Sequence, residues 1–246
     1  LARGEDDGGD LLVHVARHAS KSLRIPAHRA MRTDMSDFPF RILGFDLDGT
    51  LVDTAADLTA AVNHALSLID RAPLSEAEVR PMIGLGAKHM LEQGLRATGG
   101  IEDGVVERLY PDLLRYYEAH IAVHSRPFPG LTAALDRLDA LGVRTPVATN
   151  KAEGMARKLL GDLGLANRMA AIVGGDTLGP GNRKPSPAPI LAMIAQSGGG
   201  RAAFVGDSIY DVMAARAAAT PSIVVRFGFL DRPAEDLGAD HVIDHY

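Results

Sequence analysis

The stretch Arg41-Ile42-Leu43-Gly44-Phe45-Asp46-Leu47-Asp48-Gly49-Thr50 joins a short apolar run to a pair of carboxylates. An unbroken apolar run of that length suits a strand buried on both faces, as in a parallel sheet. Two aspartates two residues apart, where the strand ends and the chain turns, can project into one site. Apolar runs of the same kind recur at Val143–Ala148, Ala171–Val173, Ala202–Val205, Ile223–Arg226 and His241–Ile243. Between them, Leu131–Leu141, Ala152–Leu163, Pro189–Gln196 and Val212–Ala219 carry helical patterns. Strands alternating with helices predict βαβ units and an α/β fold with a doubly wound, mainly parallel sheet. Pro146 cannot donate a ladder hydrogen bond, so the Val143–Ala148 strand is expected to be irregular or to start late.

Between Asp53 and Phe128 the strand signal vanishes. Ala56–Ile69 keeps apolar residues at helical spacing, Ser75–Glu78 forms a capping box, and Lys88–Ala97 and Val105–Ala122 continue the helical reading. Pro111 is expected to end one helix and begin the next, since proline tolerates a first turn but not an interior. The expected organisation is an α/β core over 39–54 and 129–246, interrupted by a helical insert over 55–128. An insert there covers the carboxyl end of the first strand, where ligands of open α/β sheets bind. Residues 1–34 are rich in Arg, His, Asp and Gly without a sustained period, and Met35 follows them. They are read as a disordered or dispensable extension.

Four separated motifs supply what phosphoryl transfer needs: a nucleophile, a cation and a proton donor. Asp46 can attack as a carboxylate and form an aspartyl phosphate. Asp48 can protonate the departing alkoxide and later deprotonate water. Asp207, in Val205-Gly206-Asp207-Ser208-Ile209-Tyr210-Asp211, offers a hard oxygen ligand that can complete a magnesium site with Asp46; the plain alternative is a helix N-cap. Asp211 is read as supporting. Thr149-Asn150-Lys151 ends another strand, and its hydroxyl and backbone amides suit phosphate oxygens, although Thr-Asn is also ordinary turn chemistry. Lys184, in Arg183-Lys184-Pro185-Ser186-Pro187, is a compact charge that can neutralise phosphate and nucleophile together. Alone it would read as a solvated lysine; the four together point to one site.

Composition narrows the field. Hydrophobic residues make up 46% and charged residues 23% of 246, an ordinary globular balance. A net charge of −5 invites neither nucleic acid nor an anionic membrane. The absence of cysteine excludes disulfides and thiolate chemistry and fits a cytoplasmic protein. No apolar stretch is long enough to span a bilayer. The expected partner is a small-molecule phosphate ester, and the assembly a monomer or homodimer.

With Phe45–Thr54 (FDLDGTLVDT), Thr149–Lys151 (TNK), Arg183–Pro187 (RKPSP) and Gly206–Val212 (GDSIYDV), the chain resembles the haloacid dehalogenase superfamily over residues 39–246. DGTLVDT, GGDTLGPGNRKPSPAP and the VGDS block look most like the phosphoglycolate phosphatases of that superfamily. The resemblance implies a Rossmann-like core with a C1-type cap, and Asp46 as nucleophile with Asp48 as acid and base. It implies magnesium held by Asp46, the main-chain carbonyl of Asp48, and Asp207. It also implies 2-phosphoglycolate as substrate, with another small metabolite phosphate, a sugar phosphomutase activity or a silent binding module as alternatives. Dehalogenase and phosphonatase branches lack an aspartate at the Asp48 position. In the insert, the Arg80–Gly86 segment resembles a substrate-facing loop, with Arg80, Gly84 and Gly86 as its candidate residues; a plain turn is the alternative. Lys88 and His89 read as a solvated face, and His64, His120 and His124 show no metal-ligand spacing. Two departures weigh on stability: Pro146, and Ala219-Thr220 where a glycine is usual. The chain also ends soon after Ile243, where relatives often continue with a helix.

Overall fold

The computed structural model describes residues 38–246, so the reading of residues 1–34 lies outside the described residues. The first strand, β1 (Ile42–Phe45), is fully buried. Next come β2 (Val52–Asp53), α1 (Ala55–Ser67), α2 (Glu76–Val79) with a 3-10 turn over Arg80–Met82, α3 (Ala87–Ala97), α4 (Val105–Ala119) and β3 (Arg126–Pro127). The chain then alternates through α5 (Leu131–Ala140), β4 (Val147–Ala148), α6 (Glu153–Asp162), β5 (Ile172–Val173), α7 (Ala188–Gln196), β6 (Ala202–Gly206), α8 (Ile209–Ala217), β7 (Ser222–Val225) and β8 (His241–Ile243). The main sheet has the order β5-β4-β1-β6-β7-β8, with every pair parallel. This is the doubly wound α/β fold expected from the alternation. From β1 the chain winds one way to β4 and β5 and the other way to β6, so the loops leaving β1, β4 and β6 converge at the carboxyl edge.

Pro146 acts as its chemistry requires. β4 begins only after it, and its carbonyl still accepts from Phe45 N at 3.0 Å, so one donor is lost without breaking the ladder. At the end of α8, Ala219 adopts φ 51°, the left-handed region that glycine favours. Thr220 N bonds to Ala215 O and Ala219 N to Arg216 O, the paired bonds of a Schellman cap.

Two local expectations are corrected. Pro111 lies inside a single helix α4 instead of dividing two. Val105, Leu109, Leu113 and Tyr117 form a buried stripe at four-residue spacing, while Pro111 is exposed. Packing along the stripe outweighs the ~3 kcal/mol that an interior proline costs. The stretch between Asp53 and Phe128 also does not begin and end in helix alone. β2 and β3 pair antiparallel, Val52 with Pro127 and Asp53 with Arg126, and tie the stem of the insert together. Two residues per strand are too few for a period of two to show.

The capping box is present, with Ser75 N donating to Glu78 Oε2 at 2.8 Å and Glu78 N donating to Ser75 Oγ at 3.4 Å, although it opens only one helical turn. His64 and His120 both stack on Tyr116, at 4.4 and 4.3 Å between centroids. Among the described residues no helix is long and apolar enough to cross a membrane.

Candidate active site

Asp46 leaves β1 with its amide bonded to Val205 O at 2.8 Å and its carboxylate buried. Three residues on, Gly49 turns the chain at φ +80°, and a Cβ there would lie 2.1 Å from Asp207 Oδ2. Glycine is therefore required on two counts, conformation and room. Asp207 leaves β6 beside it, accepting from Phe229 N at 2.7 Å and from Thr50 Oγ1 at 3.2 Å. The N-cap of α8 is Ser208, not Asp207, so the Asp207 carboxylate is not spent on the helix. Asp211 completes the group. Its Oδ2 accepts from Ser208 N and Oγ, and its Oδ1 from Lys184 Nζ at 2.6 Å. Asp211 thus sits within the site rather than behind it.

Lys184 is 1% exposed, with its ammonium 2.8 Å from Asp46 Oδ1. Asp46 Oδ1 is buried with that ion pair and no further partner among the described residues. One oxygen each of Asp46, Asp207 and Asp211 lie within 4.8 Å of one another. Three carboxylates thus share one ammonium. Burial, opposed by Lys184, pushes the Asp46 carboxyl up to about 6. Burial, with Asp211 and Asp46 close by, pushes Asp207 well above the usual carboxylate range. Burial works against the Lys184 ammonium, yet Asp211 and Asp46 hold its pKa above the ordinary lysine value.

Asp48 has separate company. Lys151 Nζ donates to both of its oxygens at 2.8 Å, and Thr54 Oγ1 donates to Oδ1 at 2.8 Å. Thr149 is buried at the end of β4, its Oγ1 accepting from Lys151 N at 3.2 Å. A cavity of about 380 Å³ opens over Asp46, Asp48, Thr149 and Lys151, roofed by Ile83, Gly84 and Gly86 and walled by Tyr110, Leu114 and Tyr117 of α4.

The family profile of the haloacid dehalogenase-like hydrolases matches residues 43–225. The chain belongs to that family. It is 43% identical to a phosphoglycolate phosphatase of Agrobacterium fabrum over 206 residues, covering 82% of this chain and 87% of the relative. It is 40% identical to a phosphoglycolate phosphatase of Caulobacter vibrioides over 207 residues, covering 83% and 86%. Among solved structures, a predicted phosphoglycolate phosphatase of Haemophilus somnus superposes with a TM-score of 0.78 at 28% identity, covering 84% of this chain and 94% of that one.

In this haloacid dehalogenase-like chain, three residues near the site keep company that the sequence did not show. Arg80 does not line the cavity. Its guanidinium is held by Asp53 at 2.8 Å and Glu76 at 2.9 Å and lies 5.0 Å over the Phe229 ring, so it braces the insert stem and is not free for a substrate. The Asn150 side chain is also committed. It donates to Gly84 O at 2.9 Å and Lys184 O at 3.1 Å and accepts from Lys184 N at 2.9 Å, joining the lysine loop to the insert. Lys88, read as a solvated face, reaches the cavity rim while paired with Glu107 at 3.2 Å. Gly86 has φ +90°, and a Cβ there would meet Arg183 Nη1 at 3.3 Å; Gly84 has φ +126° in open space.

Two residues of the site escaped sequence reasoning. Lys151 is 9% exposed and holds Asp48, although the only hint was its place third after a strand end. Tyr117 reads in sequence as one more apolar member of the α4 stripe.

Proposed function

We propose that the chain is a cytoplasmic, magnesium-dependent phosphomonoesterase that hydrolyses 2-phosphoglycolate to glycolate and phosphate through an aspartyl phosphate on Asp46. The observation that carries this reading is the buried group of Asp46, Asp207 and Asp211 around Lys184. It fits magnesium, because its donors are hard carboxylate oxygens, all three carboxylates are buried, and one ammonium does not balance them. Asp46, Asp207 and the Asp48 main-chain carbonyl would hold the ion, and Asp211 would hold Lys184. When bound, magnesium offsets the charge of the phosphoryl group as it meets the anionic nucleophile.

The residues then divide the chemistry. A carboxylate oxygen of Asp46 attacks phosphorus, the bond to the leaving oxygen breaks, and Asp48 gives that oxygen a proton. Water attacks the phosphorus of the aspartyl phosphate, Asp48 takes its proton, and phosphate leaves with Asp46 restored. Thr149 and Lys184 bind the phosphoryl oxygens, and Lys151 with Thr54 fixes the direction of the Asp48 carboxylate.

Residues 55–128 act as a cap over a core formed by 39–54 and 129–246. The Gly84–Gly86 turn closes on the substrate and excludes water. Relatives named phosphoglycolate phosphatase at 43% and 40% identity support the choice of substrate. The cavity of about 380 Å³ would also admit a sugar phosphate, which keeps that as the second reading. A screen of metabolite phosphates separates the two. Phosphoglycolate should lead phosphoserine and hexose phosphates in kcat/KM by at least about tenfold, or about 1.4 kcal/mol of differential transition-state binding. A sugar phosphate in the lead would overturn the substrate and leave the phosphatase.

A further inference from the structure

Tyr117 closes the buried stripe of α4 and stands in the cavity wall, 1% exposed. Its hydroxyl is buried and its O–H finds no acceptor among the described residues, although the Lys151 ammonium lies beside it. Buried tyrosine hydroxyls ordinarily have an acceptor, and an O–H without one forfeits its hydration for nothing in return. Phenylalanine would fill the same space without that loss, so packing does not explain the residue type.

The nearby carboxylates are taken. Asp48 accepts from Lys151 and Thr54, and Asp57 accepts from His124 N, Ser125 N and Ser125 Oγ. The Lys151 ammonium lies 4.7 Å from the centre of the Tyr117 ring. Insert and core therefore bring an O–H donor and a positive charge to the same wall. A carboxylate is the chemical group that takes both. In the mechanism above Asp48 serves the leaving oxygen, so the groups around Asp48 meet the organic part of the substrate rather than its phosphoryl end. Burial pushes the Tyr117 hydroxyl up to about 12 against the pull of Lys151, which keeps it a donor at neutral pH.

We infer that Tyr117 is a specificity-determining residue whose hydroxyl donates a hydrogen bond to the carboxylate of the bound phosphorylated acid, beside Lys151. This inference rests on the phosphatase reading and deepens it.

The test compares wild type with Tyr117→Phe, loaded with magnesium, on 2-phosphoglycolate and on ethyl phosphate, which has the same carbon chain without the carboxylate. Wild type should favour phosphoglycolate. The variant should lose about tenfold or more in kcat/KM on phosphoglycolate, mainly through KM, and at least fivefold less on ethyl phosphate. Its apo thermal midpoint should equal or exceed that of wild type, which separates a lost contact from a damaged fold. Equal losses on both substrates, no loss on either, or a lowered midpoint would overturn the inference while leaving the phosphatase intact. A wild type that does not discriminate between the two substrates would overturn the inference together with the carboxylate-bearing substrate itself.

Discussion

Two ionic groups lie side by side at the carboxyl edge, and they are built differently. Around Asp48 the charges balance, with one carboxylate against the one ammonium of Lys151 and Thr54 filling a further acceptor site. Around Asp46 they do not, since Asp207 and Asp211 join it and, among the described residues, Lys184 is the one cation paired with them. A buried imbalance of that kind is expensive unless a cation or a proton relieves it. The balanced group is suited to moving a proton with little rearrangement. The unbalanced group is suited to holding a divalent cation and receiving a dianionic phosphoryl group. Placing the two carboxylates in sequence two residues apart, yet giving each its own lysine from a different loop, lets one turn serve both tasks.

Asp46→Asn probes this difference most severely. It removes the nucleophile and should lower kcat by on the order of 10³-fold or more with the fold intact. Activity within tenfold of wild type, in a preparation free of contaminating phosphatase, would remove Asp46 from the chemistry.

The two lysines should differ in what they do for stability. Lys184→Met strands three carboxylates and should destabilise the metal-free protein by about 3–5 kcal/mol, as breaking a buried ion pair does. Lys151→Met strands one carboxylate that keeps Thr54 and should cost about 1–3 kcal/mol. Saturating magnesium should recover much of the first loss and little of the second. Denaturant titrations with and without the ion measure this; equal losses, or equal recovery, would mean that the groups are not distinct.

Protons should substitute for the ion in the unbalanced group only. Asp46, at about 6, and Asp207, higher than usual, retain protons in the folded chain that the unfolded chain releases near the ordinary carboxylate value of about 3.9. The stability this contributes is complete below that ordinary value and is lost as pH rises through about 6. In EDTA, the thermal midpoint of wild type relative to Asp46→Asn should therefore climb as pH is lowered from about 8 to about 5, and magnesium should flatten the trend. A flat profile in EDTA would contradict the buried imbalance. Activity should be absent in EDTA, and calcium, with its looser coordination, should bind without supporting turnover.

Far from both groups, the left-handed Ala219 predicts a smaller effect that serves as a control. Ala219→Gly should stabilise by up to about 1 kcal/mol and leave kcat unaltered. A destabilised variant would mean that the Schellman turn is not strained.

The core was more legible in the sequence than the insert, and the reason is physical. Parallel strands buried on both faces are continuous apolar runs, and ligand-bearing loops follow their carboxyl ends, so Asp46, Asp48, Thr149 and Asp207 could be assigned to one edge before any coordinates. Pro146 even marked where β4 would begin. What local pattern cannot carry is the identity of a partner distant in sequence. Lys151 pairs with a residue 103 positions away, and Arg80 turns to Asp53 instead of the cavity. The Asn150 side chain ties Gly84 to Lys184, a link between distant loops that no local pattern shows. Pro111 shows the other limit, a local rule overruled by a packed stripe on the opposite face.

The stereochemical course at phosphorus addresses the covalent mechanism directly. A substrate made chiral at phosphorus with oxygen isotopes and sulfur would be hydrolysed in labelled water and the configuration of the released thiophosphate determined. Two in-line displacements, the first by Asp46 and the second by water, predict net retention. Net inversion would mean that water attacks the substrate itself, with Asp46 reduced to a ligand or a base.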